Sequence, residues 1–336
     1  MYIKRYIFEQ VKEKLDEDDI LLIIGARQTG KTTLLNHLRE ELEKDGKSCY
    51  FFNVEEKRYT ELFDETPLNL FNLIPIDLNK KTYVFMDEIQ YLKDPTNFLK
   101  LLYDNYRGKV KLIVSGSSSF YIDKKFKDSL VGRKYIFTLS PMSLKEFIEF
   151  KEGNDILVKR MGVMTLTEKD KVISCCNEYS RYGGYPKVVL ADTHEKKLAA
   201  LGEIAYTYTK KDILDAGLRS DSVYYDLFRL LAHQAGSMVS YTELSSALST
   251  SQKTIKNYLY VMRKSFQIAL IEPFYNNVRK EVTKMPKVYF IDLGLRNYFM
   301  ENFDLYATRV DKGAILENLA FRMFYDKIDY DINIRY

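Results

Sequence analysis

Cysteine, histidine and long apolar runs are scarce in this 336-residue sequence, and each shortage excludes a class of protein. The three cysteines, Cys49, Cys175 and Cys176, lack the spacing of metal ligands, and neighbouring cysteines make a poor structural disulfide. The three histidines are scattered, so they indicate neither a zinc site nor a catalytic triad. This usage favours a protein of the reducing cytoplasm.

No segment of the sequence is long and apolar enough for a membrane span. The longest apolar runs have about six residues, whereas a transmembrane helix needs about 20. The start, Met1 to Arg5, is followed by mixed polar residues and has no signal-peptide core. With 46% hydrophobic residues, the chain has ample material for two or three domains.

A glycine-rich loop with the pattern G-x-x-x-x-G-K-[ST] occupies residues 25–32. An apolar run of strand length precedes it and leucines at helical spacing follow it, which predicts a P-loop that binds the phosphates of a nucleotide. Its backbone N–H groups would face the β-phosphate. Lys31 is expected to reach the β- and γ-phosphates, and the Thr32 hydroxyl to coordinate Mg²⁺. The expected nucleotide-binding residues are Gly25, Ala26, Arg27, Gln28, Thr29, Gly30, Lys31, Thr32 and Thr33.

A second apolar strand, Tyr83 to Met86, runs into the carboxylates Asp87 and Glu88. Asp87 is expected to hold a water on Mg²⁺, and Glu88 to orient and deprotonate the attacking water. Another strand, at residues 48–54, and a helix near residues 59–73 lie between the two motifs; an inserted strand and a glutamate after the aspartate are typical of ATPases. The guanine-reading Asn-Lys-x-Asp is missing, so the sequence favours ATP over GTP.

Two further catalytic candidates accompany the next two predicted strands. The strand at residues 111–115 ends in a Gly/Ser cluster, in which Ser115 and Ser117 either contact the γ-phosphate or simply form a turn. Arg133 precedes the strand at residues 135–139. It would act as an arginine finger, in cis or from a neighbouring subunit of a homo-oligomer, or form a surface ion pair. The sequence alone does not decide between phosphate contact and turn for the serines, or between finger and ion pair for Arg133.

Together these segments resemble a widespread AAA+-like ATPase family of bacteria and archaea, whose members carry a C-terminal domain of uncharacterised function. The resemblance rests on the Walker motifs at 25–33 and 87–90, on Ser115 to Ser119, and on Gly132-Arg133. It continues through later blocks at residues 182–186, 286–295 and 313–318, and so covers nearly the whole chain. It implies an AAA+-type core with a helical lid.

In that family the last block opens a restriction-endonuclease-like fold, and Glu317 would be its first acidic position. The later aspartate and Glu-x-Lys, which such a nuclease needs to hold Mg²⁺ and activate water, do not occur before Tyr336. No nuclease activity is therefore expected from this sequence.

The predicted fold class is α/β. A P-loop NTPase core with a parallel five-stranded sheet flanked by helices would be followed by the helical lid and a winged helix-turn-helix domain. The expected boundaries are 1–142 for the core, 143–220 for the lid, 221–300 for the winged helix and 301–336 for the start of a truncated C-terminal domain. Within the winged helix, a Ser249–Gln252 capping box would start the third helix, and residues 275–280 would form the wing.

Positive charge concentrates in the predicted third helix and wing. Residues 251–287 contain eight Lys or Arg and two Glu, a local net charge of +6 in a chain of +4. Such a segment would contact the phosphates of double-stranded DNA. A protein partner, or a merely solvated helix face, is the alternative.

The sequence as a whole predicts a cytoplasmic, Mg²⁺-dependent ATPase that hydrolyses the γ-phosphate of ATP. The alternative is a DNA- or protein-binding module that ATP switches with little turnover.

Overall fold

A computed structural model of the protein describes residues 3–75, 80–117, 130–153, 156, 163–215, 217–218, 221–274 and 285–325. The chain forms two compact units. The first contains Met1–Ala26 and Gly30–Leu139, and the second contains Arg27–Thr29 and Ser140–Tyr336. The tripeptide at the tip of the predicted P-loop therefore groups with the second unit.

The first unit is built on a five-stranded sheet in the order β2-β3-β4-β1-β5, and every pair of neighbours is parallel. Its central strands read as continuous apolar runs because both of their faces are buried. The strands are β1 (Ile20–Ile24), β2 (Ser48–Asn53), β3 (Thr82–Asp87), β4 (Val110–Gly116) and β5 (Lys134–Thr138). The predicted parallel P-loop NTPase sheet is confirmed.

Five helices accompany this sheet within the described residues: α1 (Tyr6–Lys12), α2 (Lys31–Lys44), α3 (Lys57–Glu65), α4 (Leu70–Leu73) and α5 (Pro95–Tyr106). The leucines that predicted α2 are buried in one core with residues of α1, β1 and β3. The single helix expected near residues 59–73 is interrupted. Thr66 is extended before Pro67, as residues preceding proline prefer, and a short 3₁₀ turn separates α3 from α4.

The second unit is largely helical. Capping boxes start two of its helices, with Ser143 and Glu146 at one and Thr165 and Glu168 at the other. The helix that begins at His194 changes character after Thr207 and becomes a π-helix over Tyr208–Asp212. Before residue 220, the helices that the structure describes in this unit are α6 (Leu144–Glu152), α7 (Leu166–Tyr182), α8 (Pro186–Val189), α9 (His194–Thr207) and α10 (Ile213–Asp215).

The region predicted as a winged helix has the element order of that fold. It contains α11 (Asp221–His233), α12 (Tyr241–Ala247), α13 (Gln252–Lys264) and the antiparallel strands β6 (Ile268–Ile271) and β7 (Lys287–Phe290). The expected Ser249–Gln252 capping box is wrong: Ser251 caps α13 and accepts the Thr254 N–H at 3.1 Å. The predicted wing at residues 275–280 lies outside the described residues.

Gly184 and Gly294, which lie in two of the family-like blocks of the second unit, allow three chain segments to cross closely. A Cβ on Gly184 would lie 2.2 Å from the Met142 carbonyl oxygen, and one on Gly294 would lie 2.0 Å from that of Tyr182. At this crossing Asp292 starts α14 (Leu293–Phe299) and accepts the N–H groups of Gly184 and Leu295. The Gly-Gly-Tyr-Pro and Asp-Leu-Gly blocks therefore have a packing role.

The last described helix, α15 (Lys312–Tyr325), packs beside β7. Its Glu317 carboxylate accepts hydrogen bonds from Lys287 at 2.9 Å and from the Tyr289 hydroxyl at 2.7 Å. The Asn318 amide next to it bonds both the N–H and the carbonyl of Phe290. Among the described helices, none is long and apolar enough to cross a membrane.

Candidate nucleotide-binding site

The loop between β1 and α2 has a backbone that only glycine permits at its two ends. Gly25 has φ 154°, and a Cβ there would lie 2.1 Å from the Leu139 carbonyl oxygen. Gly30 has φ 97° and directly precedes the first turn of α2. The loop therefore brings its N–H groups to the amino end of a 14-residue helix, where an anion is stabilised.

Lys31, the first residue of α2, is folded back over this loop. Its ammonium group donates hydrogen bonds to the carbonyl oxygens of Gly25 at 3.1 Å and Ala26 at 2.7 Å. The side chain is buried. A lysine held in this way presents its charge at the loop, where phosphate oxygens would replace the carbonyls as acceptors.

Thr32 and Asp87 meet as the two motifs predicted. The Thr32 hydroxyl donates to Oδ2 of Asp87 at 2.5 Å, and Asp87 ends β3. The site thus lies at the carboxyl ends of the parallel strands, where sheets of this class bind ligands. Burial raises the pKa of the Asp87 carboxyl above its usual range, while hydrogen bonds from Ser115 and Thr32 oppose that rise.

Glu88 adopts a left-handed backbone with φ 56°, a conformation that costs energy for a residue other than glycine. Its N–H donates to the Ser115 hydroxyl at 3.2 Å. Its carboxylate accepts a hydrogen bond from the Ser117 hydroxyl at 2.6 Å and another from the Gln90 amide. The backbone and the side chain of Glu88 are therefore both held in place.

Gln90 is a residue of this site that the sequence analysis left without a role. Its side chain is buried, and its amide nitrogen also donates to Ser117 at 3.0 Å. Its amide oxygen is buried and has no hydrogen-bond partner within the described part of the chain. The only sequence signal was its position two residues after Glu88, which brings it back to the carboxylate through one 3₁₀ turn.

The serine cluster after β4 holds the two carboxylates. Ser115 is fully buried and its hydroxyl donates to Oδ1 of Asp87, whereas Ser117 contacts Glu88. These contacts give both hydroxyls a role beyond a simple turn. Whether Ser115 also senses the γ-phosphate stays a prediction, and residues 118–119 lie outside the described residues.

Arg133 does not join the site of its own chain. Its carbonyl accepts the N–H of Ile20, the first residue of β1, so it lies at the amino ends of the strands. About five residues of extended strand, roughly 16 Å, separate that edge from the phosphate loop. The guanidinium pairs with Asp104, with Nε 2.8 Å from Oδ1. The arginine finger in cis is therefore corrected to a surface ion pair, and a finger in a neighbouring subunit stays a prediction.

The tip of the loop has its own partners in the second unit. Arg27 is paired with Asp212, with Nε 2.9 Å from Oδ1, and both side chains are buried. The Gln28 amide donates to the Thr207 hydroxyl at 3.3 Å, and Thr29 is fully buried. Asp212 was missed in the sequence, because nothing in the local pattern links it to a loop 185 residues away.

The donor set suits Mg²⁺. This ion usually keeps several waters and takes one or two protein oxygens together with substrate phosphates. The Thr32 hydroxyl and the Asp87 carboxylate are such a pair, already in contact. Within the described residues, no three His, Cys, Asp or Glu side chains cluster as the ligands of an all-protein metal cage would.

Two parts of the sequence match known families. Residues 17–148 match the family described as AAA domain, and residues 175–306 match a domain of unknown function. An uncharacterised protein of Methanocaldococcus jannaschii is 28% identical over 324 residues, which are 94% of this chain and 69% of that protein. An uncharacterised protein of Haemophilus influenzae is 25% identical, over 95% of this chain and 79% of its own length.

Solved structures with a distant likeness include the ORC2 protein of Aeropyrum pernix in its ADP form. It has a TM-score of 0.42 and 12% identity, and the match covers 96% of this chain and 95% of that one. RuvB of Thermotoga maritima has a TM-score of 0.40 and 16% identity, with coverage of 82% and 91%. The fold assignment rests on the strand order and the loop geometry.

Proposed function

We propose that this chain, which carries an AAA domain of the P-loop ATPase class at residues 17–148, binds ATP with Mg²⁺ and hydrolyses the γ-phosphate. One observation carries the proposal: the Thr32 hydroxyl lies 2.5 Å from Asp87, with Lys31 and Glu88 as their immediate neighbours in sequence. Phosphoryl transfer depends mainly on positioning and charge, and these four side chains supply both.

Each side chain has a distinct part in the proposed reaction. The loop N–H groups and Lys31 bind the β- and γ-phosphates, and Thr32 and Asp87 hold the metal site. Mg²⁺, when bound, neutralises charge on the phosphate oxygens. Glu88 orients the attacking water and accepts its proton, while Ser115 and Ser117 keep the two carboxylates in place.

The decisive experiment compares phosphate release by the wild type with that of Glu88→Gln and Lys31→Ala. Glu88→Gln should lower kcat by about 10²–10⁴-fold and still bind ATP, because only the base is lost. Lys31→Ala should weaken binding itself. Glu61→Gln, an exposed glutamate on α3, is the matched control and should behave as the wild type.

The alternative, an ATP-switched binding module, makes a different prediction in the same assay. It requires ATP binding without phosphate release in the wild type, with Mg²⁺ and with or without DNA. Removal of Mg²⁺ by EDTA should abolish release if the proposed reaction is correct. Release that persists in EDTA, or in Glu88→Gln, would contradict the assigned roles.

A second proposed activity is DNA binding by α13. Its exposed face presents Lys253, Lys256 and Arg263 with Asn257, and the helix contains no acidic residue. Lys256 also stacks over the Tyr241 ring, 5.3 Å from its centroid, which fixes the ammonium group near the helix start. A basic helix face without acidic residues suits DNA phosphates.

Salt dependence tests this activity with a defined probe, a mixed-sequence DNA duplex. Affinity should fall steeply as salt rises, and Lys253→Gln with Lys256→Gln should reduce the slope by about two. Lys44→Gln, an exposed lysine at the end of α2, is the control. No binding at low salt would favour a protein partner instead.

A cytoplasmic location and a homo-oligomer stay predictions from the sequence.

A further inference from the structure

A buried ion pair within the second unit holds the tip of the phosphate loop. Arg27 and Asp212 lie in the same compact unit, with Arg27 Nε 2.9 Å from Asp212 Oδ1. Their side chains are only 9% and 2% exposed. Most ion pairs among the described residues have exposed or half-exposed side chains, and such pairs contribute little. A pair removed from water is sensitive to the loss of either member.

Asp212 has a second buried partner. Its other carboxylate oxygen accepts a hydrogen bond from the Gln267 amide at 2.6 Å. The Gln267 oxygen in turn accepts the Tyr224 hydroxyl at 2.9 Å. Gln267 and Tyr224 are both fully buried. A continuous chain of hydrogen bonds, which we call the Arg27–Tyr224 chain, therefore runs from Arg27 through Asp212 and Gln267 to Tyr224.

The Arg27–Tyr224 chain reaches the region predicted as a winged helix. Tyr224 lies on α11, and Gln267 lies between α13 and β6. The backbone of Gln267 donates to the Met262 carbonyl of α13 and accepts the N–H of Ile291 after β7. A change in the position of Gln267 would therefore shift the carboxyl-terminal end of α13, the basic helix.

Asp212 is placed by an uncommon element. It is the last residue of the π-helix Tyr208–Asp212, and such single-turn elements frequently occur at functional sites. The Thr209 hydroxyl within this turn donates to the Ala205 carbonyl at 3.0 Å, which ties the turn to the helix before it. The π-helix therefore places the Asp212 carboxylate in the interior of the protein.

We infer that Asp212 is a positioning residue for nucleotide binding, which holds Arg27 and through it the backbone of residues 27–29, and is itself held by Gln267. The inference rests on the proposed function, because the N–H groups of this tripeptide belong to the phosphate-binding loop. Coupling between two sites is reciprocal, so nucleotide binding and the state of Gln267 influence each other.

Asp212→Asn is the direct test. Arg27 and Gln267 both donate to the carboxylate, so the amide nitrogen of asparagine must face one donor with another. The Kd for ATP with Mg²⁺, measured by calorimetry on the full chain, should rise about tenfold. Asp311→Asn is the matched control: it also removes a carboxylate from a buried arginine, Arg296, in the same unit. Its Kd should stay within about twofold of the wild type.

Thermal unfolding separates positioning from loss of stability. Both variants should unfold at lower temperature, but only Asp212→Asn should bind ATP more weakly at a temperature where all are folded. Equal Kd values for Asp212→Asn and the wild type, or equal losses in both variants, would overturn the inference. If the wild type and Asp311→Asn fail to bind ATP, the proposed function fails instead.

Two further variants test the links of the Arg27–Tyr224 chain. The double variant Arg27→Gln with Asp212→Asn should have a Kd for ATP no higher than the higher of the two single-variant values. Either substitution alone already breaks the same ion pair. Gln267→Met, which removes the second partner of Asp212 at similar volume, should raise Kd about three- to tenfold. Additive losses would refute the coupling of Arg27 with Asp212, and an unchanged Kd for Gln267→Met would refute the role of Gln267.

Discussion

At the residue scale, the carboxylate of Glu88 is engaged by two donors from its own chain. Ser117 lies 2.6 Å from it and Gln90 also donates to it, while the left-handed backbone points the side chain back toward both. Two donors on one carboxylate fix its direction. Gln90 is therefore expected to act through Glu88 and not on the substrate itself.

Gln90→Met tests this role. It removes the amide that holds Glu88 and leaves the volume of the buried side chain almost unchanged. We expect kcat for ATP hydrolysis to fall about tenfold, with KM within about twofold, because the lost contact orients the base and does not bind phosphate. Steady-state phosphate release measures both constants. A higher kcat would mean instead that Gln90 restrains Glu88 in an unproductive position.

At the scale of elements, the close crossing in the second unit depends on backbone that no side chain can enter. Gly184 faces the Met142 carbonyl, Gly294 faces that of Tyr182, and Asp292 accepts N–H groups from both sides of the crossing. Of these segments, the one around Gly184 and the one around Asp292 are 108 residues apart in the sequence. Their motif blocks are therefore explained by packing and do not require a chemical role.

Gly184→Ala should destabilise the folded protein by about 1–3 kcal/mol, because its Cβ would lie 2.2 Å from a carbonyl oxygen and force the backbones apart. Gly313→Ala is the matched control. Gly313 lies in α15 with no atom within 4 Å of an added Cβ, so alanine there should be neutral or stabilise the helix by up to about 1 kcal/mol. Urea denaturation measures both. Equal effects at the two positions would contradict the packing role.

At the scale of the whole molecule, stability should depend on pH through one buried acid. Burial raises the pKa of Asp292 to about 6, although N–H groups of Gly184, Leu295 and Gly294 favour its ionised form. The ordinary value is about 3.9, so between pH 4 and 6 the folded protein binds more protons than the unfolded chain. The free energy of unfolding should therefore fall by up to about 3 kcal/mol as pH rises through this window.

Asp292→Asn isolates this contribution. The variant carries no titrating group at the crossing, so the fall in its unfolding free energy between pH 4 and 6 should be smaller than in the wild type. Thermal or urea unfolding across pH 4–7 supplies the comparison, and only the slopes with pH are compared. Identical slopes would exclude Asp292 as their source. The arginine partners of Asp311 hold its pKa at about 2, against the effect of burial. Its contribution to the unfolding free energy is therefore lost as pH falls below about 4, outside the window compared here.

Local patterns predicted the first unit well, because a P-loop is formed by residues adjacent in sequence. The apolar run before the loop forms β1, and the contact between Thr32 and Asp87 follows from two motifs at the ends of parallel strands. Glycine at positions 25 and 30 follows from the backbone of the loop itself.

The roles of Gln90, Arg133 and Asp212 were decided only by the tertiary structure. Each depends on which distant groups the fold brings within hydrogen-bond distance, and no spacing along the chain encodes that choice. Arg133 lies at the edge of the sheet away from the site because it directly precedes β5 and does not follow it. By itself, the amino-acid sequence determined that a phosphate loop and two carboxylates exist; folding determined which side chains hold them, because buried partners are chosen by packing in three dimensions.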